Sequence, residues 1–238
     1  MAPLWHTPCN ASIMAEKGRF REHVRNHGLA LAMIALFLCS FLGQTFTGLH
    51  VHNAELTSHG RDAMSLGAYL THGHFIEAVF ENWESEFLQM AVFVYLTIFL
   101  RQKGSSESKQ IEGKEKVDED PAKHRGDPDA PWPVRTGRFV KLYSHSLVLA
   151  LVGLFLLSFG LHAVGGQMAF NEDQSFHGEP AVSFVAYVSS SRFWFESFQN
   201  WQSEFLSVGV LIVLSIFLRE RGSPQSKPVH APHAETGE

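Results

Sequence analysis

Two long stretches of this chain contain no carboxylate, ammonium or guanidinium side chain. Leu29–Leu49 and Leu147–Phe170 lack Asp, Glu, Lys and Arg, whereas the N-terminal stretch, a middle segment and the C-terminal stretch hold most of the charge. A helix rising about 1.5 Å per residue needs about 20 residues to cross about 30 Å of hydrocarbon, and each stretch is that long. The averages hide this pattern: a 45% hydrophobic content and a net charge of −5 are ordinary for a soluble protein. The lack of a basic excess argues against nucleic acid as a partner. The first apolar run starts late, is too long for a secretory leader and lacks a small-residue cleavage site, so it is expected to stay in place as a span. Met14 opens the segment MAEKGRF, and residues 1–13 are read as an upstream-start extension, which the mass of the native N-terminus would test.

The second constraint is an internal repeat. Gly18–Lys109 recurs at Gly137–Lys227. Gly18-Arg19-Phe20 matches Gly137-Arg138-Phe139, and from His27 onward the offset is 118. HGLALAMIALFLCSF aligns with HSLVLALVGLFLLSF, FENWESEFL with FQNWQSEFL, and IFLRQKGS with IFLRERGS. Agreement across whole helices and their flanks points to duplication. It also identifies the second helix of each unit. The clean apolar runs there, Phe87–Leu100 and Phe205–Leu218, are short, and extension back through Trp83 or Trp201 brings each to spanning length.

Basic residues set the expected orientation. Lys17, Arg19, Arg21 and Arg25 precede the first helix, and Arg101 and Lys103 follow the second. Arg135, Arg138 and Lys141 precede the third, and Arg219 and Arg221 follow the fourth. The loops between hairpin partners carry only Arg61 and Arg192, so both termini and the middle segment are expected in the cytoplasm. The expected fold is all-α: a four-transmembrane-helix bundle built from two tandem helical hairpin repeats of parallel topology. Helices are placed near 28–50, 74–101, 146–169 and 191–219. The expected organisation is an N-terminal cytoplasmic tail (1–17), a first two-helix transmembrane repeat (18–109), a flexible cytoplasmic linker (110–136), a second two-helix repeat (137–222) and a disordered cytoplasmic tail (223–238).

The doubled N-W-x-S-E-F motif occupies Asn82–Phe87 and Asn200–Phe205, and each copy is followed by I-F-L-R-x-[KR]-G-S. With these motifs the chain resembles a family of uncharacterised bacterial integral membrane proteins, a domain of unknown function. The resemblance covers nearly the whole chain outside the tails and linker. It implies a multi-pass protein of the bacterial inner membrane, implies no activity, and transfers no functional residue.

Four features are candidates for chemistry. In the second helix Asn82, Glu86, Gln89 and Thr97 share one face, and Asn200, Glu204, Ser207 and Ser215 take the equivalent places in the fourth. Asn82, Glu86, Gln89, Asn200, Glu204 and Ser207 therefore form the candidate polar or ion site. Glu86 and Glu204 each lie 15 residues before a basic anchor, Arg101 or Arg219. That is about 22 Å along a helix, near the outer boundary. The simpler reading, that each Glu fixes packing within its own hairpin, is favoured. Glu77, Glu81 and Glu84 align with Phe195, Gln199 and Gln202, so those acids do not recur. Histidines gather around the first outer loop, where the pairs His50/His52 and His72/His74 are weak metal candidates. The second outer region has only His162 and His177, so solvated loop histidines are the favoured reading. His27 and His145 match between copies at helix entries; an interfacial role is favoured over haem ligation. A stripe of Gly28, Ala32, Ala35 and Cys39, aligned with Ser146, Ala150, Gly153 and Leu157, is expected to pack the first and third helices.

No nucleotide loop, nucleophile elbow or metalloprotease motif occurs. Nothing supports an enzyme, and no cofactor is expected. The favoured function is a structural or partner-binding membrane protein, because below Gln89 and Ser207 the polar lining thins to Thr97 and Ser215. A small ion, proton or solute transporter using the Glu86/Glu204 level is the alternative, and metal binding by outer-loop histidines is a second. The expected partner is the lipid bilayer; the sequence leaves a homo-oligomer open, the state in which four-helix chains could enclose a pore.

Overall fold

A computed structural model of the protein describes residues 9–237. Residues 1–8, which belong to the expected upstream extension and tail, lie outside the described residues. All regular structure among the described residues is helical, and the chain divides between Leu70 and Thr71 into two compact units.

The first unit holds α1 (Cys9–Ser58) and α2 (Leu66–Tyr69). No proline interrupts residues 9–58, so α1 runs well beyond its apolar centre at both ends. It stops where Gly60 takes a positive φ of 70°. The amide of Arg61 reaches the Leu56 carbonyl at 2.9 Å and that of Gly60 reaches Thr57 at 3.0 Å, a glycine-dependent closure that satisfies two orphan carbonyls. The chain then folds back. Asn53 holds Met64 by both edges of its amide, donating to the Met64 carbonyl (3.1 Å) and accepting from its N–H (2.8 Å). Ser65 caps α2, and Tyr69 lies buried with its hydroxyl over Gly48, where a Cβ would sit 2.3 Å from that oxygen.

The second unit holds α3 (Gly73–Leu96), α4 (Trp132–Thr136), α5 (Val140–Ser144), α6 (Ser146–Phe176), α7 (Phe184–Val188) and α8 (Ser191–Phe217). Its α6–α7 corner repeats the details of the α1–α2 corner at the 118-residue offset. Gly178 has φ +74°, with Glu179 N–H on the Gln174 carbonyl at 2.9 Å. Asn171 holds Val182 at 3.1 and 2.8 Å, and Ser183 caps α7. Tyr187 is buried over Gly166, whose Cβ would lie 2.2 Å from the hydroxyl. The helix ends repeat as well. Arg101 turns back to the carbonyls of Thr97, Ile98 and Leu100 (3.5, 3.1 and 3.2 Å), and Arg219 to those of Ser215, Ile216 and Leu218 (3.2, 3.1 and 2.7 Å). Each guanidinium satisfies last-turn carbonyls and complements the negative end of its helix.

α3 packs on α6 and α8. A Cβ at Gly73 would lie 2.6 Å from the Met168 Cβ, and one at Gly165 would lie 2.6 Å from the Glu77 backbone nitrogen. Only glycine lets the backbones of α3 and α6 approach this closely. Among the described residues, a Cβ at Gly28 or Gly153, in the stripe expected to pack helices, would meet nothing within 4 Å.

Among the described residues, three helices are long and apolar enough to cross a membrane: Arg21–Ser58 within α1, α6 and α8. Their apolar side chains face outward, Leu29 being 79% and Leu206 66% exposed. α3 is as long as a span, but Glu77, Glu81, Glu84 and Glu86 break its apolar character.

The residues just after α3 and the C-terminal segment are tied to each other and to α8. Gly104 N–H donates to Thr236 Oγ1 (2.8 Å), and Gly237 N–H donates to the Ser105 carbonyl (3.1 Å). Ser105 and Ser215 hydroxyls meet at 2.9 Å. Lys227, 3% exposed, donates to the carbonyls of Pro232, His233 and Glu235 at 3.2, 3.1 and 2.8 Å. Hydrogen bonds rather than apolar burial order these residues, and for that reason composition does not reveal them.

Candidate functional site

The site is built from three helices of the second unit. Along α3, Glu77, Glu81 and Glu84 recur at spacings of 4 and 3, which puts them on one face. Gly73 begins the same face one turn earlier, and its close contact with α6 turns that face inward. α6 contributes His162, from the middle of its apolar run, and α8 contributes Glu196, Asn200 and Trp201. Tyr187 on α7 reaches in from the corner described above.

His162 and Glu84 are both fully buried, with His162 Nδ1 3.0 Å from Glu84 Oε2. The Trp201 indole N–H donates to the other oxygen of Glu84 at 3.2 Å. Asn200 donates to Glu81 Oε1 and, at 3.2 Å, to the Glu196 carbonyl. Glu196 accepts from the Tyr187 hydroxyl (3.1 Å, Oε2) and from Arg192 Nε (3.0 Å, Oε1). Burial first, then the nearby Glu196 and Glu77, push the Tyr187 hydroxyl far above its ordinary range, so it stays protonated and acts as a donor.

One atom in this network is left over. His162 Nε2 is buried without a hydrogen-bond partner and lies 3.9 Å from Glu196 Oε2. The Glu77 carboxylate completes the group: one ligand-type atom each from Glu77, His162 and Glu196 lies within 4.8 Å of the others. Glycine at position 166 leaves the room, since a Cβ there would come within 3.1 Å of Glu77 Oε1. The buried Phe193 ring closes one side, 5.0 Å from the imidazole.

The residues singled out from sequence lie mostly elsewhere. Asn82 is exposed and bonds its own helix at the Ala78 carbonyl (2.8 Å). Glu86 is exposed, Gln89 and Glu204 are half-buried, and Glu86 and Glu204 lie within electrostatic reach of each other. Ser207 is exposed and donates to the Glu204 carbonyl (2.8 Å). Of that set, only Asn200 enters the buried network. Among the outer-loop histidines, His50 is exposed and His52 is buried on α1. His72 caps α3 by accepting from the His74 N–H, and its Nε2 lies 3.4 Å from Glu172. Sequence reasoning sets Glu77, Glu81 and Glu84 aside because they do not recur, reads His162 as a solvated outer histidine, and does not single out Glu196. The signal that could have found them is the 4-and-3 spacing of α3 glutamates together with a lone histidine inside a charge-free run.

No curated protein and no solved structure matches the chain. One family model, described as a domain of unknown function and designated DUF6766, matches residues 20–238, from the basic flank of α1 through the C-terminal segment. The three helices that carry the buried network thus lie inside the matched region, and the chain belongs to the DUF6766 family.

Proposed function

We propose that this chain is a multi-pass membrane protein of four spans, made of two tandem hairpins, that holds one cation-accepting site among α3, α6 and α8. Three spans rest on the length and outward apolar character of α1, α6 and α8. The fourth is α3, whose 24 residues reach about 36 Å at 1.5 Å each. Its glutamates at 81 and 84 meet donors on α6 and α8, which lowers the cost of placing them in hydrocarbon. The matched corners and helix ends at the 118-residue offset support the duplicated hairpin. The distribution of Lys and Arg supports a bacterial inner-membrane orientation with both termini cytoplasmic, with the bilayer as partner of the outward faces.

The observation that carries the site is the His162–Glu84 pair at 3.0 Å, fully buried between α3 and the apolar α6. Ionisable groups at such depth are costly and serve ion and proton pathways. This shifts the site from the Glu86/Glu204 level to the His162 level. The competing structural reading rests on the donors around the carboxylates: Trp201, Asn200, Tyr187 and Arg192 would also serve a static packing lock.

Trp201 reports on the choice because its indole bonds Glu84. The emission that it contributes, taken as the difference between the parent protein and Trp201→Phe, should change as protons or added cations are titrated, and Glu84→Gln should abolish the change. Emission indifferent to protons, Na⁺, K⁺, Mg²⁺, Ca²⁺ and Zn²⁺ alike would leave the packing lock.

A further inference from the structure

Building on the cation-accepting reading, we propose that Glu77, His162 and Glu196 bind a divalent first-row transition-metal ion, with Glu84 as the outer carboxylate that orients the imidazole. The acidic cluster alone would not carry this assignment. What carries it is His162 Nε2, a fully buried ring nitrogen without a hydrogen-bond partner that lies 3.9 Å from the Glu196 carboxylate. Buried polar atoms are nearly always paired, and a ring nitrogen too far from its carboxylate neighbour for a hydrogen bond is free to take a ligand role.

The donor set fits that ion class. One imidazole nitrogen and two carboxylates suit Zn²⁺, Fe²⁺ or Mn²⁺ better than Ca²⁺ or Mg²⁺, which take oxygen ligands alone. Metal-bound histidines almost always donate their other ring N–H to a carboxylate, which fixes the tautomer. Glu84 stands at Nδ1 in that role, and Trp201 holds its second oxygen. Glu196 is held in the same manner: Arg192 engages Oε1 on the outer side, and Tyr187 steadies Oε2, the oxygen nearer the imidazole. Drawing the three ligand atoms, now within 4.8 Å of one another, onto bonds of about 2.0–2.2 Å needs only a small inward adjustment. Three protein ligands leave a coordination position for water or a solute.

The test uses the full chain in detergent micelles, without a polyhistidine tag, stripped with chelator and titrated with Co²⁺ and then Zn²⁺. The expected result is one equivalent of Co²⁺ with a visible d–d absorption, displaced by Zn²⁺. His162→Gln should abolish the absorption. Glu84→Gln should weaken affinity about 10–100-fold without changing stoichiometry. His50→Gln should leave binding unchanged. Circular dichroism establishes that each variant is folded, and should His162→Gln not fold, Glu77→Gln, altering a half-buried side chain, takes its place with an expected loss of at least tenfold. Absent Co²⁺ absorption, or stoichiometric binding that survives His162→Gln, overturns the inference. A Trp201 response to protons or alkali cations without Co²⁺ binding would overturn the metal and keep the cation reading; silence in both experiments would end both.

Discussion

The two segments that align at an offset of 118 agree in one class of contact and differ in another. Corners, caps and helix ends agree: Asn53 and Asn171 hold the same backbone position, Gly60 and Gly178 close the same helix end, and Tyr69 and Tyr187 cover the same glycine. The buried ionisable residues differ. His162, Glu84, Glu77 and Glu196 align with Gln44, Gln202, Phe195 and Ala78. What recurs is scaffold, and what does not recur is the site. Among the described residues the buried polar network draws on α3, α6 and α8, and its ionisable members have no ionisable counterparts at the 118-residue offset.

The largest effect should come from the unmatched residues. Removing His162 leaves Glu84 buried without its nearest partner, and His162→Ala should cost about 3–5 kcal/mol. Thermal unfolding in detergent would read this as a large fall in Tm, whereas Gln44→Ala, at the exposed counterpart, should stay within about 0.5 kcal/mol. Equal losses at both positions would erase the contrast. Next come the glycines beneath the tyrosines. Gly48→Ala and Gly166→Ala each press a Cβ on a buried hydroxyl and should each cost about 1–3 kcal/mol. Gly166→Ala should lose more, since its Cβ also comes within 3.1 Å of Glu77 Oε1, and a larger fall in Tm for Gly48→Ala would show that the tyrosine contacts at the two corners are not equivalent.

The asparagine clamps sharpen the comparison further. Asn53→Ala and Asn171→Ala each delete two hydrogen bonds worth about 1 kcal/mol apiece. In the second corner the Gln167 amide also donates to the Val182 carbonyl, at 3.0 Å. Hydrogen exchange should therefore quicken more at Met64 in Asn53→Ala than at Val182 in Asn171→Ala. The smallest effect is expected at the level that recurs without being buried. Glu86→Gln changes an exposed side chain and should shift stability by no more than about 0.5 kcal/mol, leaving Co²⁺ affinity as it was.

Much of the scaffold was legible in the sequence. α6 and the centre of α1 follow from charge-free length. The full extent of α1 was not legible, because its ends are polar and only the absence of proline marks them. The C-terminal segment was hidden for a different reason: Lys227 and Ser105 act through backbone carbonyls and a serine far along the chain, which composition does not record. Repetition favours Glu86 and Glu204, which match between the segments, over Glu77, Glu81 and Glu84, which do not, so the buried network carries no repeat signal. His162 looked like an isolated outer histidine until the crossing at Gly73 and Gly165 brought α3 against α6. Such a crossing depends on three-dimensional proximity between residues far apart in the chain, and no local pattern reveals it.

The wide separation of the site's partners along the chain also has a consequence for biosynthesis. Glu84 waits 78 residues for His162 and 117 for Trp201, and Glu81 waits 119 for Asn200. A ribosome adding about 5–20 residues per second leaves roughly 4–16 s between Glu84 and His162. During that interval α3 has emerged with its carboxylates unmatched, and hydrocarbon is a poor solvent for it. On the proposed four-span reading, α3 would settle in the bilayer only once α6 and α8 have arrived, and a chain ending after α3 would leave that helix with its carboxylates unmatched.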